Sequence, residues 1–364
     1  MKKSVAFFTV GFAFNRLVRM KFYEKIFPKD IKMYLITTNK YQGKEKDSYQ
    51  EDYSLQRSEI IKINYDMQLP LTLRRICEER KIDRVFNLGF HTSGIILLMA
   101  TLFKKRDYCL NILTDTFNQY KLVETWKEKI VELFTLPYLY LITFFARKVF
   151  FTDKIDAERA PVVFLSKRKK MVHLAAPVDT TLFVKKDKLS LKKELGLTKY
   201  KKVVIFVGRI NYLKCSDILK KVIEKNPDIL FILIGRLMDE SIFERNPKNV
   251  IYFEKKSSKE LVKYYNAADF GFCVNRGGGG IGLTSEETLA CGTPIVVSKE
   301  FRLKESPAIY QVAVKFENVD NAIKKFFKLD KEEKDKLAKS ARTYAVKNYS
   351  DEAWKENYIL HYLH

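Results

Sequence analysis

Short apolar runs alternate with amphipathic stretches along this chain, and the alternation occurs twice. In residues 1–178, Val5–Val10, Met33–Thr37, Ile60–Ile63, Arg84–Leu88, Leu110–Thr114, Val149–Thr152 and Lys170–Leu174 read as buried strands, with helix patterns such as Leu71–Lys81 and Thr92–Phe103 between them. Residues 200–345 repeat the theme: Lys202–Val207, a helix at Cys215–Lys225, Ile229–Ile234, Val250–Phe253, a helix at Ser258–Ala267, Phe270–Val274 and Pro294–Ser298. Short apolar strands spaced by helices predict parallel sheets covered on both faces. The polar, Lys-rich stretch between the halves, residues 179–199, reads as a linker. The expectation is an α/β chain of two Rossmann-like domains, 1–178 and 200–349, facing a central cleft. The tail, residues 350–364, carries Trp354, Tyr358, Leu360, Tyr362 and Leu363 and is too apolar to hang free.

A chain of 364 residues suffices for two such domains, and 46% hydrophobic with 30% charged residues is a globular composition. The formal net charge of +23 is spread over both halves. Three readings of it stay open: an anionic membrane surface as partner, a polyanion such as nucleic acid, or a lysine-rich solvated surface. Five cysteines without a C-x-x-C suit a reducing, cytoplasmic setting. Four histidines, two of them His361 and His364, form no zinc-binding spacing, so no metal site is expected. The N-terminus reads as a first buried strand rather than a signal peptide. The most apolar stretch, Leu133–Ala146, is too short to span a bilayer and is interrupted by Pro137. It reads as a buried helix, or as a helix at a membrane interface. In the latter case the protein is peripheral on the inner face of a membrane.

Six of the fourteen glycines fall between Gly277 and Gly292. From Asn275 the chain reads N-R-G-G-G-G-I-G-L-T-S-E-E-T-L-A-C-G-T-P-I-V-V-S: a glycine loop, a short helical segment, a turn and a strand. Glycine lets backbone approach a ligand closely, and a helix that starts after such a loop aims N–H groups and partial positive charge at it. The pattern points to an anionic, phosphate-bearing ligand. After the strand ending at Val207 comes G-R-I-N-Y-L-K, which adds Arg209 and Lys214. Arginine offers a planar fork for two oxygens, and lysine a mobile point charge.

The glycine window resembles the donor-site signature of retaining GT-B glycosyltransferases of the family 4 type, E-G-F-G-L-x-x-x-E-A-x-A-C-G-x-P-V. Gly280, Gly282, Leu283, Glu287, Ala290, Cys291, Gly292 and Pro294 match it, while Gly279 stands in place of the first glutamate. Gly208, Arg209, Lys214, Asp217 and Leu219 match the family's F-x-G-R-L-x-x-x-K-G-x-D-x-L, with Cys215 replacing a glycine. Leu261, Tyr265, Ala268 and Asp269, and the segment Ala176–Phe183, extend the resemblance over residues 176–298. The first domain is similar only in pattern.

The resemblance implies a GT-B fold whose last helix crosses back to the first domain. It also implies a retaining, metal-independent transfer of a hexose from a nucleotide-diphosphate sugar, UDP- or GDP-linked, to a hydroxyl acceptor. That acceptor would be a glycan, a lipid-linked or a small molecule, and no cofactor beyond the donor is implied. Arg209 and Lys214 would hold the diphosphate, and Glu287 the ribose. Gly11, Gly208, Gly279, Gly280, Ile281, Gly282, Leu283 and Thr284 would line the donor. Relatives often place a histidine near the sugar; this chain has Asp115 at the corresponding strand end and His91 after another strand. Two alternatives remain at this level: a non-catalytic nucleotide-sugar or glycan-binding relative, suggested by Gly279, and a glycosyltransferase acting on nucleic acid, suggested by the charge.

Overall fold

The computed structural model describes residues 4–11, 14–39, 55–88, 92–101, 107–112, 137, 139–151, 154–165, 167–276 and 281–363. Two all-parallel sheets carry these residues. The first contains β1 (Ser4–Thr9), β2 (Lys32–Thr38), β3 (Ser58–Ile63), β4 (Arg84–Asn87), β5 (Asp107–Ile112), β6 (Lys148–Phe151) and β7 (Met171–His173), in the order β3-β2-β1-β4-β5-β6-β7. The second contains β8 (Val203–Val207), β9 (Leu230–Ile234), β10 (Val250–Phe253), β11 (Phe270–Cys273), β12 (Ile295–Ser298) and β13 (Ile309–Val312), in the order β10-β9-β8-β11-β12-β13. Each order turns back at its first strand. β1 pairs with both β2 and β4, and β8 with both β9 and β11. These are topological switch points, where open α/β sheets leave a crevice at the carboxyl ends of the strands.

The sequence dictates much of this. The runs V-V-I-F-V of β8 and L-F-I-L-I of β9 are apolar at every position, as a strand covered on both faces requires. The helix Ser216–Lys225 turns Ile218, Leu219, Val222 and Ile223 inward. The helix Phe316–Lys328 buries Val319, Ile323 and Phe326, and Phe326 stacks on Phe270 at 4.5 Å between ring centroids. Capping boxes start two helices: Ser257 with Glu260 before Ser258–Ala267, and Asp330 with Glu333 before Lys331–Tyr349.

The chain divides into two compact units, residues 1–174 with 355–364, and residues 175–354. The tail is helical, Asp351–Leu363, and residues 355–364 belong to the first unit, where Tyr362 is fully buried. The Tyr362 ring stacks on Phe150 at 4.7 Å, and its backbone carbonyl accepts from Arg84 Nη1 at 2.9 Å.

Residues 179–199 differ from the linker expected of them, because they pack into the second unit. They contain the helix Lys188–Glu194, and Leu191 and Leu197 are buried. Asp269 gathers the Lys188 and Lys192 ammonium groups at 2.8 and 3.1 Å, and also accepts from the backbone N–H of Val203 at 2.9 Å. Two of the lysines that make the stretch look like solvated spacer, Lys188 and Lys192, deliver their charge to one carboxylate, and Lys192 is buried along its stem.

Candidate functional site

The second unit's switch point brings two motif segments together, because they leave adjacent strands. Gly208 and Arg209 follow β8, and Val274–Arg276 follow β11. The neighbouring strand β9 is followed by a second glycine–arginine pair, Gly235-Arg236. The Gly208 N–H donates to Ile234 O at 2.8 Å, and the Ile210 N–H to Arg236 O at 2.9 Å. A Cβ on Gly235 would lie 2.0 Å from Gly208 O, and Gly235 itself has φ +141°. The two glycines therefore let adjacent backbones cross in contact, with Arg209 and Arg236 both exposed beyond them. Sequence reading passed over Arg236, although the repeated apolar-strand–Gly-Arg pattern marks it.

Past Arg209 the chain folds into a 3-10 turn, Tyr212–Lys214. Asn211 caps it by accepting the Lys214 N–H at 3.1 Å. Cys215 then adopts a left-handed conformation, φ 57° and ψ 40°, and is fully buried. The family's glycine is replaced, but the conformation that glycine favours is kept, at a cost of about 1 kcal/mol.

Lys214 is half-buried and pairs with no carboxylate among the described residues. Burial pushes its pKa down, and the neighbouring Arg209 charge lowers it further. The Cys273 and Cys215 thiols lie near it, and Cys273 also engages Ser285 of the following helix. Two cations close together, one of them desolvated without an anion, make a socket with unbalanced positive charge.

Arg276 builds this socket, and sequence reading missed it. Its guanidinium grips Asp217 with two bonds, Nη1–Oδ1 at 2.6 Å and Nη2–Oδ2 at 2.7 Å. It stacks on the Tyr212 ring at 4.1 Å and donates to Tyr212 O at 2.8 Å. Its backbone N–H donates to Leu213 O at 2.8 Å. Burial raises the Asp217 pKa, but the Arg276 bond and charge outweigh this and hold the carboxyl below its ordinary value. The glycine run is thus anchored to the lysine-bearing turn immediately before it begins. Ser298 adds a second anchor: it receives the Asn275 N–H at 2.8 Å and donates to Asn275 O at 2.6 Å. Arg276→Ala is expected to lower kcat/KM about 10-fold by loosening both segments, while Arg276→Lys, which cannot form the two-pronged bond, recovers only part of it. Steady-state kinetics on both variants checks this.

Gly279 and Gly280 lie outside the described residues, as do Asp115 and His91. Beyond the glycine run, Ile281 is buried and its carbonyl accepts from Ser285 Oγ at 2.6 Å. Gly282 precedes the helix Leu283–Ala290 with φ +81°. Among the described residues, its chain neighbours aside, no atom lies within 4 Å of where its Cβ would stand, so conformation rather than crowding favours glycine there. Leu283 is exposed and Thr284 half-buried, and both occupy the first turn, where N–H groups lack intrahelical acceptors. Gly11 belongs to the first unit, after β1, and its N–H already donates to Thr38 Oγ1 at 2.9 Å. Its backbone can still approach a ligand closely, with that N–H already engaged.

Glu287 sits one turn along this helix and is half-buried. Its Oε2 accepts from Tyr265 O–H at 2.9 Å. Burial lifts its pKa to about 7, against the opposing Tyr265 bond. Its neighbour Glu286 is buried with Oε2 unpartnered, and burial, with the Glu287 charge added, holds its pKa well above the usual range. Among the described residues no group of three His, Cys, Asp or Glu side chains forms a potential metal site.

Residues 187–350, within the second unit, match the family model described as glycosyl transferases group 1. The chain is 34% identical over 146 residues to a D-inositol 3-phosphate glycosyltransferase of Mycobacterium sp. strain KMS, covering 36% of this chain and 32% of that protein. It is 28% identical over 168 residues to the protein of that name from Mycolicibacterium smegmatis, covering 42% and 38%. The matched part thus spans about a third of the length of these relatives. Whole-chain similarity is structural. Anabaena HepE in complex with UDP superposes with a TM-score of 0.78 at 13% identity, over 99% of both chains. Sucrose-phosphate synthase from Thermosynechococcus elongatus gives 0.75 at 15% identity, over 99% and 98%. The sequence match lies in the second unit and the fold match spans both units: over residues 187–350 the chain is similar to the glycosyl transferases group 1, and its two parallel-sheet units have the GT-B fold.

Proposed function

We propose that the protein is a retaining, metal-independent glycosyltransferase that moves a hexose from a UDP-sugar to a hydroxyl acceptor. The observation that carries this reading is Lys214: a half-buried ammonium with a lowered pKa, without a carboxylate partner among the described residues and beside Arg209. An anion of high charge density is the natural complement of that pair, and a leaving diphosphate is such an anion. Arg209, Lys214 and the first N–H groups of Leu283–Ala290 stabilise the charge that grows on it as the glycosidic bond breaks. Glu287 takes the ribose hydroxyls with the lone pairs that Tyr265 leaves free. No protein carboxylate attacks the sugar; the acceptor hydroxyl enters on the face the diphosphate leaves. The complex of the similar Anabaena protein with UDP supports uracil as the base, and the inositol 3-phosphate acceptor in the name of the mycobacterial relatives supports a hydroxyl-rich acceptor such as a phosphorylated polyol.

The test is a panel of UDP- and GDP-sugars with the product's anomeric configuration read by NMR, with and without chelator. Transfer from a UDP-sugar with retained configuration in chelator is the expected outcome. Inversion, or dependence on a divalent ion, overturns the mechanism. A second reading rests on Gly279, which removes the family's first glutamate: a nucleotide-sugar-binding relative without turnover. UDP-sugar binding by calorimetry with no transfer or hydrolysis would establish that reading instead.

A further inference from the structure

Residues 139–145 are helical, and this helix is apolar on two sides. Leu139, Ile142 and the following Ala146 enter the core of the first unit. Leu141, Phe144 and Phe145, spaced i, i+3, i+4, form an opposite stripe that is 48%, 49% and 50% exposed. A surface helix of a globular domain normally shows one apolar face, and a second one calls for a covering partner. A basic turn borders the stripe. Lys170 Nζ donates to Phe144 O at 2.7 Å and lies 6.0 Å from the centre of its ring. Lys170 belongs to the run Lys167-Arg168-Lys169-Lys170, whose first three members are exposed. Lys148, whose Nζ reaches Lys169 O at 3.4 Å, extends this charge on the other side.

We propose that this stripe and its basic border form a docking surface for an anionic lipid bilayer. The charge complements lipid phosphates, and the rings and leucine enter the acyl boundary. That combination binds a headgroup interface more strongly than either part alone. Phe144 and Phe145 meet edge to face, at 5.3 Å and 86°, which makes a wedge rather than a flat platform for bases. Hydrocarbon therefore suits the patch better than nucleic acid does. Among the described residues no helix is long and apolar enough to cross a membrane, and this surface lies on the bilayer rather than through it. The surface belongs wholly to the first unit and is independent of the donor assignment.

Flotation of the full chain with vesicles tests it. The chain is expected to float with phosphatidylcholine vesicles containing about one third phosphatidylglycerol and to stay behind with pure phosphatidylcholine. Lys167→Ala with Lys169→Ala lowers the partition coefficient about 30-fold, and Phe144→Ser with Phe145→Ser roughly 10-fold. Circular dichroism confirms the fold of both variants, since the inward face is untouched. Three outcomes overturn the proposal. One is no flotation with anionic vesicles. Another is flotation that ignores both double variants, or that salt abolishes with no dependence on the phenylalanines. The third is a dimer in lipid-free solution that Phe144→Ser with Phe145→Ser dissolves, which assigns the stripe to a second copy of the chain.

Discussion

Lys214→Met is expected to lower kcat at least about 100-fold while leaving the fold intact, and Arg209→Ala to do the same. On the proposed function each removes a cation that faces the leaving diphosphate, and loss of one such preorganised donor costs about 3 kcal/mol of transition-state stabilisation. The fold survives because neither side chain is part of a carboxylate ion pair among the described residues, so no anion is orphaned. For Lys214 the sign goes further. Its folded-state pKa is depressed, so its charge opposes folding at every pH below that value, and stability rises only as pH climbs through it toward the unfolded pKa. Lys214→Met therefore melts at an equal or higher temperature at neutral pH. Single-turnover rates and thermal melts read both effects, and near-normal rates in both variants remove the donor-site assignment.

Glu287→Gln is expected to separate stability from binding. With a folded-state pKa of about 7 against an ordinary 4.5, the ionised side chain opposes folding by roughly 3 kcal/mol above pH 7. The folded state holds the proton more tightly, so native stability falls as pH rises from about 4.5 to 7 and then levels. Glutamine keeps an acceptor for Tyr265 and carries no charge. The variant should therefore be more stable by about 2 kcal/mol or more at pH 8, and the gain should shrink steeply toward pH 5. UDP binding moves the other way: a carboxylate accepts ribose hydroxyls better than an amide does, and its loss costs about 1–3 kcal/mol. The wild-type chain is expected to bind UDP more tightly at pH 8 than at pH 6, as Glu287 ionises, and the variant to lose that rise. Denaturant titrations at the two pH values, with calorimetry on free UDP, measure both. An unchanged affinity detaches Glu287 from the nucleotide, and an unchanged stability contradicts its buried charge.

The second unit was largely legible in the sequence because its determinants are local. Runs such as Val203–Val207 and Leu230–Ile234 are apolar at every position, and Arg209 and Lys214 sit at fixed spacing after one of them. Strand limits were less so. β5 begins at Asp107, ahead of the apolar run expected at Leu110–Thr114, because pairing of Asp107 with Arg84 of β4 sets its start. β13, Ile309–Val312, went unforeseen: its Tyr310, Gln311 and Val312 are only partly buried at a sheet edge, which weakens the apolar signal.

What lay beyond reading is what forms between distant segments. Arg276 and Asp217 are 59 positions apart, and neither has a local pattern that announces the other. Asp269 matched a motif, but that it ties down Lys188 and Lys192 is a tertiary fact. The unusual pKa of Lys214 and of Glu287 likewise depends on burial, which composition does not carry.

Cys215 gives the turn beneath Lys214 a chemical reporter. Thiols react as thiolates, and burial lifts this one's pKa to about 12, so in the closed turn it is both sheltered and protonated. Alkylation at this position must wait for the turn to open. Its rate, resolved from those of the other four cysteines by peptide mass spectrometry, then becomes a clock for that opening. A nucleotide that clamps Arg209 and Lys214 should slow the clock, and Arg276→Ala, which cuts the turn's tether, should speed it. A glycine at this position would hold the same backbone shape, but it would leave nothing to label.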